Sequence, residues 1–290
     1  MTSEKIIDIL KNGKIHLSCE LFPPKQGAEL QNSLEIVNRI AASKPSYMSV
    51  TYGAGGSTVG YSAALAKKVQ DNGIPALAHL TCVKADEAKL AEVLGQLHGF
   101  GVKNILALRG DIPADMQGEE IGSFAHASEL MRFVKQQGDF CVGGAAYPEG
   151  HPESGSLEKD IENTKYKVDA GVDFLVTQMF FDNTILYNYM FRLLRAGINV
   201  PVVPGIMPVT NVKQIKRITS MSGTYLPERF KAIVDRFGDN PAAMKQAGVI
   251  YATEQIIDLI ANGVNHIHVY SMNKPEIAAG IQSSLSEILK

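Results

Sequence analysis

The 290-residue chain has no tryptophan, three cysteines, no surplus of charge of either sign and no apolar run of membrane-spanning length. Each shortage excludes something. The cysteines Cys19, Cys82 and Cys141 are odd in number, far apart and without a C-x-x-C pair, so neither a disulfide scaffold nor a zinc module is encoded. Each falls in an apolar run, as reduced core thiols of a cytoplasmic protein do. With 28 basic against 30 acidic side chains there is no basic face for nucleic acid. The N-terminal residues lack the apolar core of a signal peptide. The most apolar stretch, 198–209, is broken by Pro201, Pro204 and Pro208 and falls short of the roughly 18 residues a span requires. No membrane or nucleic-acid partner is expected.

Short β-rich apolar runs alternate with helix-period segments almost from end to end. The strands are expected at 15–22, 47–52, 76–82, 104–108, 141–147, 174–180, 202–206 and 266–271. Helices are expected at 30–42, 59–72, 87–99, 128–137, 157–170, 186–196 and 212–221, then at 227–237 and 242–262, with a last one at 275–289. Alternating βα units imply a parallel sheet, and eight of them make the count of a closed (β/α)8 TIM barrel. The pattern therefore predicts one α/β domain over residues 1–290, with an extra helix before the last strand. Gly73, Gly101, Gly171, Gly197 and Gly263 each stand just past a helix, as left-handed C-caps do. The open doubly wound sheet is the main rival. It carries G-x-G-x-x-G after its first strand, whereas 53–58 lacks the last glycine and follows the second. Segments 113–122 and 148–155 read as mobile loops.

A barrel of this type works at the C-terminal ends of its strands. No lysine stands there, which speaks against a Schiff-base aldolase, and the first strand has no His-x-His for a hydrolase metal. His266 and His268 have that spacing but begin the last strand, and read as packed core at the barrel bottom. No metal site is expected. Glu20 lies late in the apolar run Ser18-Cys19-Glu20-Leu21-Phe22. Burial there would raise its pKa and make it a general acid, or it is a structural carboxylate paired with Arg109 or another base. Arg109-Gly110-Asp111 can clamp a pyrophosphate and meet a ring N–H, or form a salt bridge across the mouth. Asp160, Asn163 and Lys167 share one helix face, suited to ribose and phosphate or simply to solvent.

At these residues the chain resembles the flavin-dependent methylenetetrahydrofolate reductases, in their short bacterial form. The matching segments are 18–24, 49–54, 79–82, 107–111, 146–152, 167–171, 177–182, 204–209 and 268–273, in order over nearly the whole chain. The resemblance implies a non-covalent FAD held by Thr51, His79, Leu108, Arg109, Gly110, Asp111, His126, Ala127, Ala145, Tyr147, His151, Asp160, Asn163 and Lys167. It implies a folate site at Glu20, Asp111, Gln178, Gln214, Tyr270 and Lys274, with Glu20 and Asp111 catalytic. The implied chemistry is ping-pong: NADH or NADPH reduces the flavin and leaves, then methylenetetrahydrofolate enters and is reduced to 5-methyltetrahydrofolate for methionine synthesis. Glu20 would protonate the nitrogen that leaves when the folate ring opens. A homo-oligomer is expected. Three positions depart from the family pattern: Ile218 in place of an aromatic residue, His126 in place of a tyrosine, and Tyr166 in place of a base. The rival function is a cofactor-free barrel lyase or aldolase on a small phosphorylated substrate.

Overall fold

A computed structural model describes residues 4–52, 59–112 and 122–290. The glycine cluster 53–58 and most of the loop expected at 113–122 lie outside the described residues. The strands are β1 (His16–Leu21), β2 (Met48–Val50), β3 (Ala76–Thr81), β4 (Asn104–Leu108), β5 (Cys141–Ala146), β6 (Phe174–Thr177), β7 (Val202–Val203), β8 (Gly205–Ile206) and β9 (His266–Val269). Every neighbouring pair is parallel, in the order β7-β6-β5-β4-β3-β2-β1-β9-β8. β7 and β8 are the two halves of the single strand expected at 202–206. Pro204 has no N–H for the ladder, so β7 pairs with β6 while β8 pairs with β9. The Pro204 carbonyl still accepts from the His268 amide at 2.8 Å, and the sheet closes around the break. The architecture is the (β/α)8 barrel, with its seventh stave split.

The helices are α1 (Ile6–Leu10), α2 (Leu30–Ala41), α3 (Val59–Asp71), α4 (Glu87–Gly99), α5 (Ala127–Gln137), α6 (Leu157–Asp169), α7 (Asn183–Arg195), α8 (Val212–Ser222), α9 (Glu228–Phe237), α10 (Pro241–Ala261) and α11 (Pro275–Ser284). Side chains of Asp86, Ser156, Asp182, Asn211 and Asn240 accept from first-turn amides and fix where α4, α6, α7, α8 and α10 begin. The Asp182 cap starts α7 three residues earlier than apolar spacing suggests. The five glycines after helices all have left-handed φ, from +75° to +93°. No helix among the described residues is long and apolar enough to cross a membrane.

Both faces of a parallel sheet are covered, so the strands are mainly apolar. The outer face packs on the helices. The inner face encloses Tyr47, Leu77, Leu106, Cys141, Phe174, Val176 and Val203, and α1 adds Ile6 and Leu10 from below. The sequence pattern assigns no structure to that segment, yet it closes the barrel bottom. Its Ile6 amide donates to the Asn104 side-chain oxygen at 2.8 Å. Gly143 is small for a packing reason: a Cβ there would stand 2.7 Å from the Phe174 ring. A third apolar body joins Phe181, Met207, Ile218, Phe230, Met244 and Tyr251 beneath α8, α9 and α10. Ile218 is therefore core rather than a lining residue of the mouth. The three cysteines are free and buried, and burial pushes Cys19, Cys82 and Cys141 up to about 12, 11 and 12, which leaves them unreactive. Cys82 lies one residue past β3 rather than within it.

Candidate active site

At the C-terminal end of the staves, Glu20, Thr51, His79, Leu108, Ala145, Tyr147, Gln178 and Tyr270 line one cavity of about 340 Å³. Phe22, Leu77, Leu106, Val176, Thr177, Met179, Met207 and His268 complete its walls and floor. Most of the polar members come from the sequence expectation. The apolar walls do not, because an inward leucine or methionine looks in sequence like any other core residue.

Glu20 sits one residue before the end of β1, opposite Ser49 of β2. Its backbone is held from the side of β9. The Ser271 hydroxyl donates to the Glu20 carbonyl at 2.9 Å, and the Asn273 side chain bonds both the N–H and the C=O of Phe22 at 2.8 Å. Asn273 takes φ +54° to do so, a conformation asparagine tolerates better than most residues. The carboxyl is 7% exposed and makes no hydrogen bond among the described residues. Burial pushes it up to about 8. It is not paired with Arg109: among the described residues, the basic groups within 4.0 Å of it are His79 Nε2 at 3.7 Å and His268 Nε2 at 4.0 Å. Burial pushes both imidazoles down to about 3, so neither supplies a cation at neutral pH. A protonated carboxyl and two neutral rings share the space, and these contacts are not ion pairs.

His268 corrects the expectation for the His-x-His pair. His266 does stay low, stacked on His16 at 5.7 Å, but His268 lies under the cavity, in register with Ser18. The Ser18 hydroxyl donates to the Ile267 carbonyl at 3.0 Å, so its oxygen accepts from His268 Nδ1–H at 2.8 Å. Ser49 then donates to Nε2 at 3.1 Å. Two serines thus fix one neutral tautomer. No metal-ligating cluster occurs among the described residues.

Beside the cavity, a second group surrounds Tyr147. The Lys167 ammonium donates to the Ala145 carbonyl at 2.7 Å and stands 5.6 Å from the Tyr147 ring centre. Burial lowers its pKa, and Asp160 opposes that. Asp160 is 2% exposed, with Oδ1 accepting from Ser154 at 2.9 Å and Oδ2 without a partner. Asn163 donates to the same Ser154 oxygen at 3.3 Å. The face is thus not a solvated one. Arg109 forms a two-armed pair with Glu153 at 2.5 and 2.8 Å, the salt bridge that the sequence left open as an alternative. The segment 148–155, read as mobile, is tied down by these contacts. Gly110 takes φ +90° and its Cβ would meet Thr81 at 3.1 Å, so glycine alone suits the turn between Arg109 and the exposed Asp111. His151 meets the Tyr147 ring edge-on at 4.6 Å.

Other expected residues stand apart from the cavity. His126 caps α5, with the Glu129 carboxylate accepting from its amide at 3.1 Å, and Ala127 is the first residue of that helix. Lys274 donates to Thr210 at 2.6 Å, and Thr210 to the Gln214 side chain at 3.1 Å, which makes a separate polar cluster. Tyr270, by contrast, lines the cavity, and its hydroxyl donates to the Thr177 carbonyl at 2.6 Å. Tyr166 is exposed on α6.

Whether these residues suit a flavin dinucleotide can be judged from their unmet needs. Lys167 is a half-buried cation whose hydrogen-bond partner is a neutral carbonyl, and it would gain from an anion. Asp160 Oδ2 and His79 Nε2 are buried polar atoms without partners among the described residues. A diphosphate and sugar or ring N–H and O–H groups meet those needs, so the residues present fit the group.

The fold is an α/β barrel, and the candidate site lies at its C-terminal mouth. The sequence profile of the methylenetetrahydrofolate reductase family matches residues 5–286. The chain is 34% identical over 274 residues to the 5,10-methylenetetrahydrofolate reductase of Escherichia coli (strain K12), covering 94% of this chain and 91% of that protein. It is 35% identical over 299 aligned positions to methylenetetrahydrofolate reductase (NADH) 1 of Zea mays. That match covers 98% of this chain and 50% of the maize protein, so the chain spans about half the length of this plant relative. Among solved structures, an uncharacterized Clostridium thermocellum protein that binds two copies of 5-methyl-5,6,7,8-tetrahydrofolic acid superposes with a TM-score of 0.67 at 14% identity. It covers 97% of this chain and 99% of its own, a likeness of fold. The chain belongs to the methylenetetrahydrofolate reductase family, a family of enzymes.

Proposed function

We propose that the chain reduces 5,10-methylenetetrahydrofolate to 5-methyltetrahydrofolate, with a non-covalent FAD and a nicotinamide donor taking turns with the folate at one mouth. The observation that carries this reading is Glu20, a carboxyl that burial holds protonated up to about pH 8 and that no base neutralises. Opening the folate's five-membered ring breaks a C–N bond whose electron pair goes to nitrogen, and that nitrogen needs a proton. Glu20 supplies it and becomes the carboxylate. The methylene is left as an iminium cation, which the new negative charge stabilises. The two flanking histidines stay neutral, so neither draws the proton away from Glu20 beforehand. General acid help of this kind contributes about 10²–10⁴ in rate.

When bound, FAD supplies the hydride chemistry that no side chain here can perform. Lys167 and Arg109 suit its diphosphate, and Asp160 and Asn163 its hydroxyls. Thr51, His79, Leu108, Gly110, Ala145, Tyr147 and His151 would flank the ring and chain, with His126 and Ala127 toward the nucleotide end. Gln178, Tyr270 and Asp111 would orient the pterin, and Lys274 and Gln214 the distal part of the folate. Buried reduced thiols suit a cytoplasmic protein, and we read the assembly as homo-oligomeric.

The deciding experiment separates the half-reactions anaerobically. Glu20→Gln keeps reduction of the bound flavin by NADH or NADPH and loses reoxidation by methylenetetrahydrofolate. Equal loss of both half-reactions, or a purified protein that binds no FAD, overturns the proposal.

A further inference from the structure

The turn that comes after β5 makes contacts that no expectation assigned to it. Glu153 presents both carboxylate oxygens to the Arg109 fork, Nη1 to Oε2 at 2.5 Å and Nη2 to Oε1 at 2.8 Å. Arg109 Nε donates to the Gly110 carbonyl at 3.2 Å, so the guanidinium is oriented from two sides. The next residue, Ser154, holds Asp160 and Asn163. The Glu153 amide donates to His151 Nδ1 at 3.1 Å, which fixes the turn itself. A four-residue segment therefore occupies Arg109, Asp160 and Asn163 together. These are three of the residues assigned above to the cofactor's diphosphate and sugar. Carboxylate and phosphate offer a guanidinium fork the same pair of oxygens.

We infer that Glu153 is an internal ligand of Arg109 that competes with the diphosphate, so that FAD loads by exchange against this turn. The inference rests on the flavin reading of the mouth. Glu153 is open to solvent, with its side chain 58% exposed against 22% for Arg109. Pairs this open contribute little to stability, so the exchange is cheap for a ligand that also reaches Lys167. Any ligand that takes the Arg109 fork must displace Glu153, so the pair lowers the affinity of the dinucleotide and of its phosphate fragments by the same factor. A supporting role would have the opposite sign: if Glu153 held Arg109 in place for the cofactor, its loss would weaken binding.

The test is titration of the full chain, freed of flavin, with FAD followed by quenching of flavin fluorescence, and with inorganic pyrophosphate followed by calorimetry. Glu153→Gln is expected to bind FAD two- to tenfold more tightly than wild type and to gain by a similar factor for pyrophosphate. Glu153→Ala, which cannot bond the fork at all, moves in the same direction. Glu254→Gln removes the same unit of charge from the exposed Arg229–Glu254 pair between α9 and α10 and stays within twofold of wild type. Unchanged or weaker FAD binding in Glu153→Gln and Glu153→Ala overturns the exchange while wild-type binding leaves the flavin reading intact. If neither wild type nor variants bind FAD, the flavin reading falls and the exchange falls with it.

Discussion

Asn104 and Glu20 are both polar side chains buried inside the barrel, one at each end, and their surroundings differ completely. Asn104 is fully buried and uses its whole amide: it accepts from the Ile6 amide and donates to the carbonyls of Glu4 and Ala76, at 2.8, 3.2 and 3.2 Å. Glu20 is nearly as buried and has no hydrogen bond for its carboxyl among the described residues. The lower group ties α1 to β3 and β4 and so stabilises the closed bottom. The upper group is left to carry a proton for something else. A buried polar residue that is fully bonded reads as structure. One that is kept neutral and unpaired beside a cavity reads as chemistry.

The comparison can be broken at either end. The largest effect expected is on turnover: Glu20→Gln lowers the rate of flavin reoxidation by methylenetetrahydrofolate by about 10²–10⁴, with global stability intact. In the wild type the same step should slow above about pH 8, as Glu20 loses its proton, while reduction of the flavin shows no matching break. Stopped-flow absorbance at the flavin band reads both. Next comes Asn104→Ala, expected to cost about 2–4 kcal/mol in urea unfolding by leaving the Ile6 amide and two carbonyls unpaired, with FAD affinity unchanged in the folded fraction. Lys167→Met should weaken FAD binding about 10- to 100-fold, or roughly 1.4–2.7 kcal/mol, without a matching loss of melting temperature.

The smallest effect sharpens the contrast, because Glu20→Gln should stabilise the fold. The Glu20 carboxyl ionises near 4.5 when unfolded and near 8 when folded, so between those values the folded state holds a proton that the unfolded state has lost. Wild-type stability therefore falls with rising pH across that window, whereas Gln has no such term. The gain should be close to zero at pH 4.5 and should grow as the pH rises toward 8. His79 and His268 act oppositely. Their folded values near 3 lie below the ordinary 6.5, so their contribution rises as pH climbs from 3 to 6.5. These three groups together place the stability maximum near pH 6.5, measurable as a melting profile.

Much of the barrel was legible because strand and helix periods alternate and capping glycines repeat. Glu20 was legible because a carboxylate stands out in an apolar strand. The residues that support it were not. With both faces of a parallel sheet buried, nothing in the sequence distinguishes inward Ser18, Ser49 and His268 from outward neighbours, and the His-x-His pair was placed too low by one of its two members. α1 escaped because five residues are too few to display a period. The split of the seventh stave at Pro204 was visible as a proline but not as a break, since the apolar run continues through it. Glu153 carried no signal, being one exposed acid among many, and acquires meaning from the position of Arg109 44 residues away.

The seal at the barrel bottom also constrains the order of assembly. α1 precedes every stave in the chain, yet it rests on Asn104, 98 residues from Ile6, and on Val203 of the seventh stave. Its seat does not exist until most of the barrel has been synthesised and curved. The segment that comes first must wait, apolar face uncovered, while its socket is built from later parts of the chain. Contacts of such long sequence separation slow folding. A chain halted before residue 203 would display Ile6 and Leu10 as a handle for chaperones or proteases, and only a completed barrel would withdraw it.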